Sequence, residues 1–169
     1  MVLGEFWLKR SLWILGVLVS TSGCGFDTPQ HLPLSSLNVG GVDRGYYLFV
    51  PNTLPETPVP LVIAAHGGGM ADSAFPQQDR FEALAEAEGF ILVFPRGEEG
   101  RSGAEGEWHL NTDAQTREDM DFMEALMDEL ASQYPIDTTR VYGTGYSLGS
   151  MLNYEFACHL SSRFAAVAS

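Results

Sequence analysis

Two stretches of the chain, Leu61-Val62-Ile63-Ala64-Ala65 and Phe90-Ile91-Leu92-Val93-Phe94, are apolar at every position. An unbroken apolar run of that length fits a strand covered on both faces. Arg140-Val141-Tyr142-Gly143-Thr144 reads as a third central strand, and Phe164 to Ala168 as the start of a fourth. The segments between them carry helical spacing. Residues 80–88 put Phe81, Leu84 and Ala85 on one face, with Gly89 as the stop. Phe122, Leu126 and Leu130 recur on a longer helix that Pro135 ends, with Met123 and Met127 on the adjoining row. Thr116-Arg117-Glu118-Asp119 before it reads as a capping box, Thr116 at the cap and Asp119 reaching back. Ser147 to Leu160 makes a third helix. Upstream, Leu37 to Val39 and Gly45 to Val50 read as short strands joined through Gly40-Gly41-Val42-Asp43. Residues 51–60 hold four prolines and form a loop. Residues 96–115 form a longer loop containing Trp108 and His109, of a length that is seldom idle. Strands alternating with helices predict an α/β fold, with a mostly parallel, doubly wound sheet.

The first residues follow a different pattern. Lys9 and Arg10 precede the apolar run Leu12 to Val19, and the small residues Ser20, Thr21, Ser22 and Gly23 lead to Cys24. Such an order describes an export signal over residues 1–23. The apolar run falls short of the ~20 residues that cross a bilayer. Thr21-Ser22-Gly23-Cys24 resembles a bacterial lipoprotein box, which would make Cys24 a lipidated N-terminus and the membrane a partner through that anchor. Thr21 departs from the box, where a larger aliphatic residue is usual, and plain signal cleavage would leave Cys24 a spare thiol. Residues 24–36 mix proline, glycine and polar residues without periodicity and read as a tether, with His31 solvated on it. The folded domain is then expected over residues 37–169.

Composition narrows the partners. The 169 residues are 45% apolar and 18% charged, which excludes a disordered, collagen-like or coiled-coil chain. Nine Lys and Arg against 22 Asp and Glu give a net charge of −13, so the chain has no electrostatic footprint for nucleic acid. Two cysteines make no disulfide framework, and no Cys/His cluster has the spacing of metal ligands. No cofactor motif is present.

Chemistry concentrates in Gly145-Tyr146-Ser147-Leu148-Gly149, a G-x-S-x-G pentapeptide. The pattern alone is cheap; its place between a strand and a helix is not. That turn forces an unusual backbone on the serine and brings strand and helix close, so Gly145 and Gly149 omit side chains that would collide. It lifts the Ser147 hydroxyl above the strand ends, beside helix N–H groups suited to an anion. His66-Gly67-Gly68-Gly69 follows an earlier central strand, and bare glycine backbone there can approach a tetrahedral intermediate. Leu148 and Gly68 are the expected oxyanion donors, each worth ~3–4 kcal/mol in such sites.

These motifs stand in a longer ordered series: Tyr47–Pro51, Pro60–Gly67, Ala87–Pro95, Arg140–Ser147, Ala157-Cys158 and Phe164–Ala168. The series, over about residues 44–169, resembles the secreted polyhydroxybutyrate depolymerase and feruloyl esterase group of the α/β-hydrolase fold. The resemblance implies hydrolysis of polymeric or small carboxylic esters by a serine nucleophile, Ser147, through an acyl-enzyme. Many relatives carry a cysteine after the His-Gly pair where this chain has Gly68. Cys158 thus lacks an evident partner and reads as a small buried hydrophobe.

The serine needs a base, and in this fold acid and histidine follow it in the chain. The 22 residues after Ser147 offer Glu155 and His159, both on the helix that opens at the elbow. His159 lies twelve positions along it, ~18 Å away at 1.5 Å per residue. His66 belongs to the glycine loop and reads as structural, and His109 is a weak substitute base. The acid and base are therefore expected outside this chain, which reads as the N-terminal part of a hydrolase ending on an apolar strand. Two other classes fit the same residues: an inactive binding lipoprotein that kept the elbow, and an acyltransferase or peptidase on the same fold. Oligomeric state is not legible.

Overall fold

The computed structural model describes residues 32–69, 81–98, 106–113, 115 and 117–169. The export segment, Cys24, His31 and Thr116 lie outside the described residues. Strands β1 (Leu34–Val39), β2 (Val42–Phe49), β3 (Val59–Ala65), β4 (Ile91–Pro95), β5 (Ile136–Gly145) and β6 (Ala166–Ala168) form one sheet in the order β1-β2-β4-β3-β5-β6. β1, β2 and β4 pair antiparallel; β4, β3, β5 and β6 run parallel. Helices α1 (Phe81–Glu88), α2 (Glu118–Gln133) and α3 (Leu148–His159) connect the parallel strands.

The apolar runs occupy the middle of the sheet because both faces there are covered. On one face Leu61, Ile63, Ile91, Val93 and Val141 pack with Phe122, Met123, Leu126 and Leu130 of α2 and Leu152 and Phe156 of α3. On the other, Ala64, Leu92 and Phe94 meet Ala85 of α1 and Tyr47. Burying one such large side chain contributes roughly 1.5–3 kcal/mol, so this doubly covered centre is the firm part of the molecule.

The chain enters the parallel part of the sheet at β3, adds β4 on one side, then crosses to add β5 on the other. That reversal makes the C-terminal ends of β3 and β5 a topological switch point, where open α/β sheets form their ligand crevice. Ala65 and Gly145, the last residues of the two strands, are direct register partners.

Several boundaries differ from the sequence reading. β1 begins at Leu34, so Leu34 to Ser36 belong to a strand rather than to the tether; the turn is Gly40-Gly41 alone, both glycines at positive φ. The N-cap of α2 is Arg117 with no side-chain cap bond, and Asp119 points into the interior instead of back along a capping box. The short strand β6 starts at Ala166, with Ala166 and Ala168 exposed, while Phe164 stacks on Phe156 at 4.8 Å. Leu84 is exposed on α1, where Ala85 alone is buried. Cys158 is exposed too. The buried row of α3 is Gly149, Leu152, Asn153 and Phe156, and a residue two places past Phe156 turns ~200° away from it.

Candidate active site

Ser147 joins β5 to α3 with φ 52° and ψ −115°, a left-handed backbone for a residue that has a Cβ. Such a conformation costs on the order of 1–3 kcal/mol and persists only where its surroundings impose it. Here they do. Tyr146 N–H donates to Ala65 O (3.2 Å) and Gly149 N–H to Tyr146 O (2.9 Å), so the turn is tied to β3 and to itself. A Cβ on Gly145 would lie 2.5 Å from the carbonyl of Gly149, and one on Gly149 would overlap the carbonyl of Ala65. Beneath the turn, fully buried Asn153 donates to Gly149 O (2.8 Å) and occupies the space that a Cβ on Gly143 would need. Its Oδ1 has no hydrogen-bond partner.

The glycine loop faces this elbow across the switch point. A Cβ on Gly67 would stand 3.4 Å from Ser147 Cβ and 3.1 Å from the Tyr146 ring; one on Gly68 would stand 3.4 Å from Leu148 Cδ2. A side chain on Gly67 would crowd the Tyr146 ring, while beside Gly68 the space is that of ordinary contact. Leu148 is the first residue of α3, where a helix N–H has no intrahelical acceptor. Gly68 is exposed beside it. Ser147 and Gly68 are both exposed, and with the first helix N–H at Leu148 they stand together at the switch point, a set of groups suited to an oxygen that becomes negative during acyl transfer.

His66, which precedes the glycines, is buried and wired on both ring nitrogens. Nδ1 donates to Gly67 O (2.7 Å) and Nε2 accepts from Gly97 N–H (2.9 Å), which fixes the neutral Nδ1–H tautomer. Burial holds its pKa below the ordinary histidine value. Trp108 packs on the ring at 4.7 Å and donates from Nε1 to His66 O (2.9 Å).

The remaining candidates lie as follows. His109 has its N–H on Asp119 Oδ2 (2.6 Å) and its Nδ1 3.7 Å from the same oxygen. Among the described residues none forms a hydrogen bond with the Ser147 hydroxyl. Glu155 accepts N–H bonds from Asn111 and Thr112 (3.0 Å each) and stands 3.4 Å from His159, so the acid and histidine of α3 serve each other and the long loop. Among the described residues no group of His, Cys, Asp or Glu could hold a metal ion.

Arg44 and Asp119 escaped the sequence reading. Both are 2% exposed and 2.6 Å apart. The signal was available: Asp119 lies three, four and seven places before Phe122, Met123 and Leu126, on the buried row of α2. A carboxylate on an apolar row demands a buried cation or donor.

The sheet order, the strand-to-helix serine and the facing glycine loop together define the α/β-hydrolase fold. The profile of the esterase PHB depolymerase family matches residues 44–169, and the chain belongs to that family. It is 31% identical over 128 residues to the bifunctional acetylxylan esterase/xylanase XynS20E of Neocallimastix patriciarum, covering 76% of this chain and 18% of that protein. It is 32% identical over 134 residues to the putative esterase NocK of Nocardia uniformis subsp. tsuyamanensis, covering 78% of this chain and 38% of that one. An acetyl xylan esterase from Aspergillus awamori superposes with a TM-score of 0.68 at 22% identity, over 80% of this chain and 50% of that one. The chain thus spans half of that solved structure and less of the two sequence relatives.

Proposed function

We propose that this chain carries the nucleophile and oxyanion hole of an exported serine esterase acting on carboxylic esters, polymeric or small. The observation that carries the proposal is the left-handed Ser147 at the start of α3, held against bare glycine backbone. Ser147 Oγ attacks the ester carbonyl, and the N–H groups of Leu148 and Gly68 receive the oxyanion. Collapse expels the alcohol and leaves an acyl-enzyme that water hydrolyses. The hydroxyl must lose its proton to a base. His66 is committed to Gly67 and Gly97 and His159 pairs with Glu155, so the acid and base lie outside the contacts that the described residues make with Ser147. Residues 1–23 direct export, with Cys24 as the lipidated residue that anchors the protein to the membrane.

The test is covalent labelling with a fluorophosphonate probe alongside hydrolysis of a short-chain nitrophenyl ester. Labelling of the wild type that disappears in Ser147→Ala supports the proposal; labelling that survives the substitution refutes it. Incorporation of a radioactive fatty acid at Cys24 supports the anchor, and its absence refutes it. A non-catalytic role, ester binding at the same glycine loop, is favoured by the unbonded Ser147 hydroxyl. It predicts saturable ester binding without labelling or turnover.

A further inference from the structure

We propose that Asp119 is a positioning residue, which acts with Arg44 through the two ends of the long loop to hold the glycine loop in register with Ser147. The proposal rests on the serine-esterase reading for its catalytic consequence, but its structural half stands alone.

A buried ion pair is weak evidence for stability, since apolar residues of similar volume often serve as well. Its geometry is more informative. Asp119 Oδ1 accepts from Arg44 Nη2 (2.6 Å), and Oδ2 accepts the backbone N–H of His109 (2.6 Å). Arg44 Nη1 donates to Glu118 O (3.3 Å), its guanidinium lies 4.3 Å over the Phe122 ring, and its Nε stands 3.3 Å from Glu98 Oε1. The pair therefore bonds one leg of the loop at His109 and sets its guanidinium against the Glu98 carboxylate of the other, there by charge and without a hydrogen bond from Nε.

The legs are clamped to each other. Gly106 and Glu107 both donate N–H bonds to Glu98 O (3.0 and 2.9 Å), and a Cβ on Gly97 would lie 2.5 Å from Glu107 O. Three bonds among the described residues tie the glycine loop's footing to these legs. Gly97 N–H reaches His66 Nε2, Trp108 Nε1–H reaches His66 O, and Gly69 N–H reaches Gly106 O (3.2 Å). His66 passes the constraint on through its bond to Gly67 O. Charge at Asp119 is thus three contacts from the N–H of Gly68. A misplacement of about 1 Å in such a donor costs on the order of 100-fold in rate.

The experiment compares wild type, Asp119→Asn, Trp108→Phe and the double variant. Asparagine keeps the size of Asp119 but removes its charge and can accept only one of its two bonds; phenylalanine deletes the indole donor. Hydrogen exchange by NMR is read at the Trp108 indole and at the Gly69 and Gly97 amides, with Ile63 and Leu126 amides as core references. Asp119→Asn is expected to speed exchange at the three loop sites about tenfold while leaving the references within about twofold. Loop exchange that stays unchanged, or that rises together with the core, overturns the proposal. In the esterase assay Asp119→Asn is expected to lower kcat by about 10- to 100-fold with KM within about twofold. The double variant is expected to lose less than the product of the two single losses, because both act along one path. Additive losses, or a KM effect alone, overturn it. A wild type that neither labels nor turns over ester leaves the exchange measurement to decide the positioning role. Should Asp119→Asn not fold, the milder Trp108→Phe carries the same two readouts, with the same overturning results.

Discussion

The carbonyl oxygen of Ala65 occupies the place that a Cβ on Gly149 would need. One residue ends β3 and the other lies in the first turn of α3, so the strand and the helix touch backbone to backbone at the site. Gly149→Ala is expected to force them apart and to destabilise the protein by about 1–3 kcal/mol, the usual cost of overpacking. Urea unfolding measures the loss. Fluorophosphonate labelling at saturating probe should fall even in the fraction that remains folded.

Asn153→Asp tests the buried amide under the elbow. Asn153 is fully buried, its Nδ2 donating to Gly149 O. An ionised carboxylate there loses the donor and gains a charge facing a carbonyl, so its pKa in the folded state rises above the unfolded value of ~3.9. Stability is then retained below that value and lost as pH rises through the folded pKa. The variant should unfold about 3–5 kcal/mol more easily at pH 7 and recover part of that difference near pH 4, measured by thermal melts at both values.

His66 supplies a pH limit of the opposite sign. Burial lowers its pKa, and protonation at Nε2 would set an N–H against the N–H of Gly97. Its contribution is fully present above the unfolded value of ~6.5 and is lost as pH falls toward the depressed folded value. Thermal stability and Ser147 labelling should therefore decline below about pH 6.5, and a His66→Gln variant should show a flatter profile over that window. A decline of equal slope in both proteins would rule His66 out as its origin.

Glu155→Gln should loosen the far end of the long loop. Burial alone would raise the carboxyl, but the N–H groups of Thr112 and Asn111 outweigh it and keep the pKa low, with His159 adding to them. Asn111, at φ 64°, holds a left-handed backbone that this carboxylate helps to fix. The substitution is expected to cost about 1 kcal/mol. It should speed amide exchange at Asn111 and Thr112 while sparing β3. In the wild type the same bonds weaken as pH falls through the lowered pKa of Glu155.

The sequence made the sheet and the elbow legible for one reason: both rest on local, repeated constraints. Leu61–Ala65 and Phe90–Phe94 are apolar throughout because helices cover both faces, and Gly145 and Gly149 are glycine because backbone fills the space beside them. What stayed hidden depends on partners distant in the chain. Asp119 sits where a capping residue would; its place on the apolar row of α2 asks for a buried partner, but only the approach of Arg44 from β2 shows which one. Trp108 looks like any aromatic in a loop until its indole is seen on His66 O. Cys158 misled because an apolar residue on a short helix was assigned by type rather than by its angle from Phe156.

Ala65 and Gly145 face one another as the last rungs of a parallel ladder, and this has a consequence for how such a site can change. The gap between the ends of β3 and β5, from which the glycine loop and the serine turn spring, is set by the ~4.8 Å spacing of two neighbouring strands. The base of the site is therefore insulated from drift in the outer loops: those that do not hold the glycine loop can be lengthened, recharged or replaced while the two strand ends stay the same distance apart.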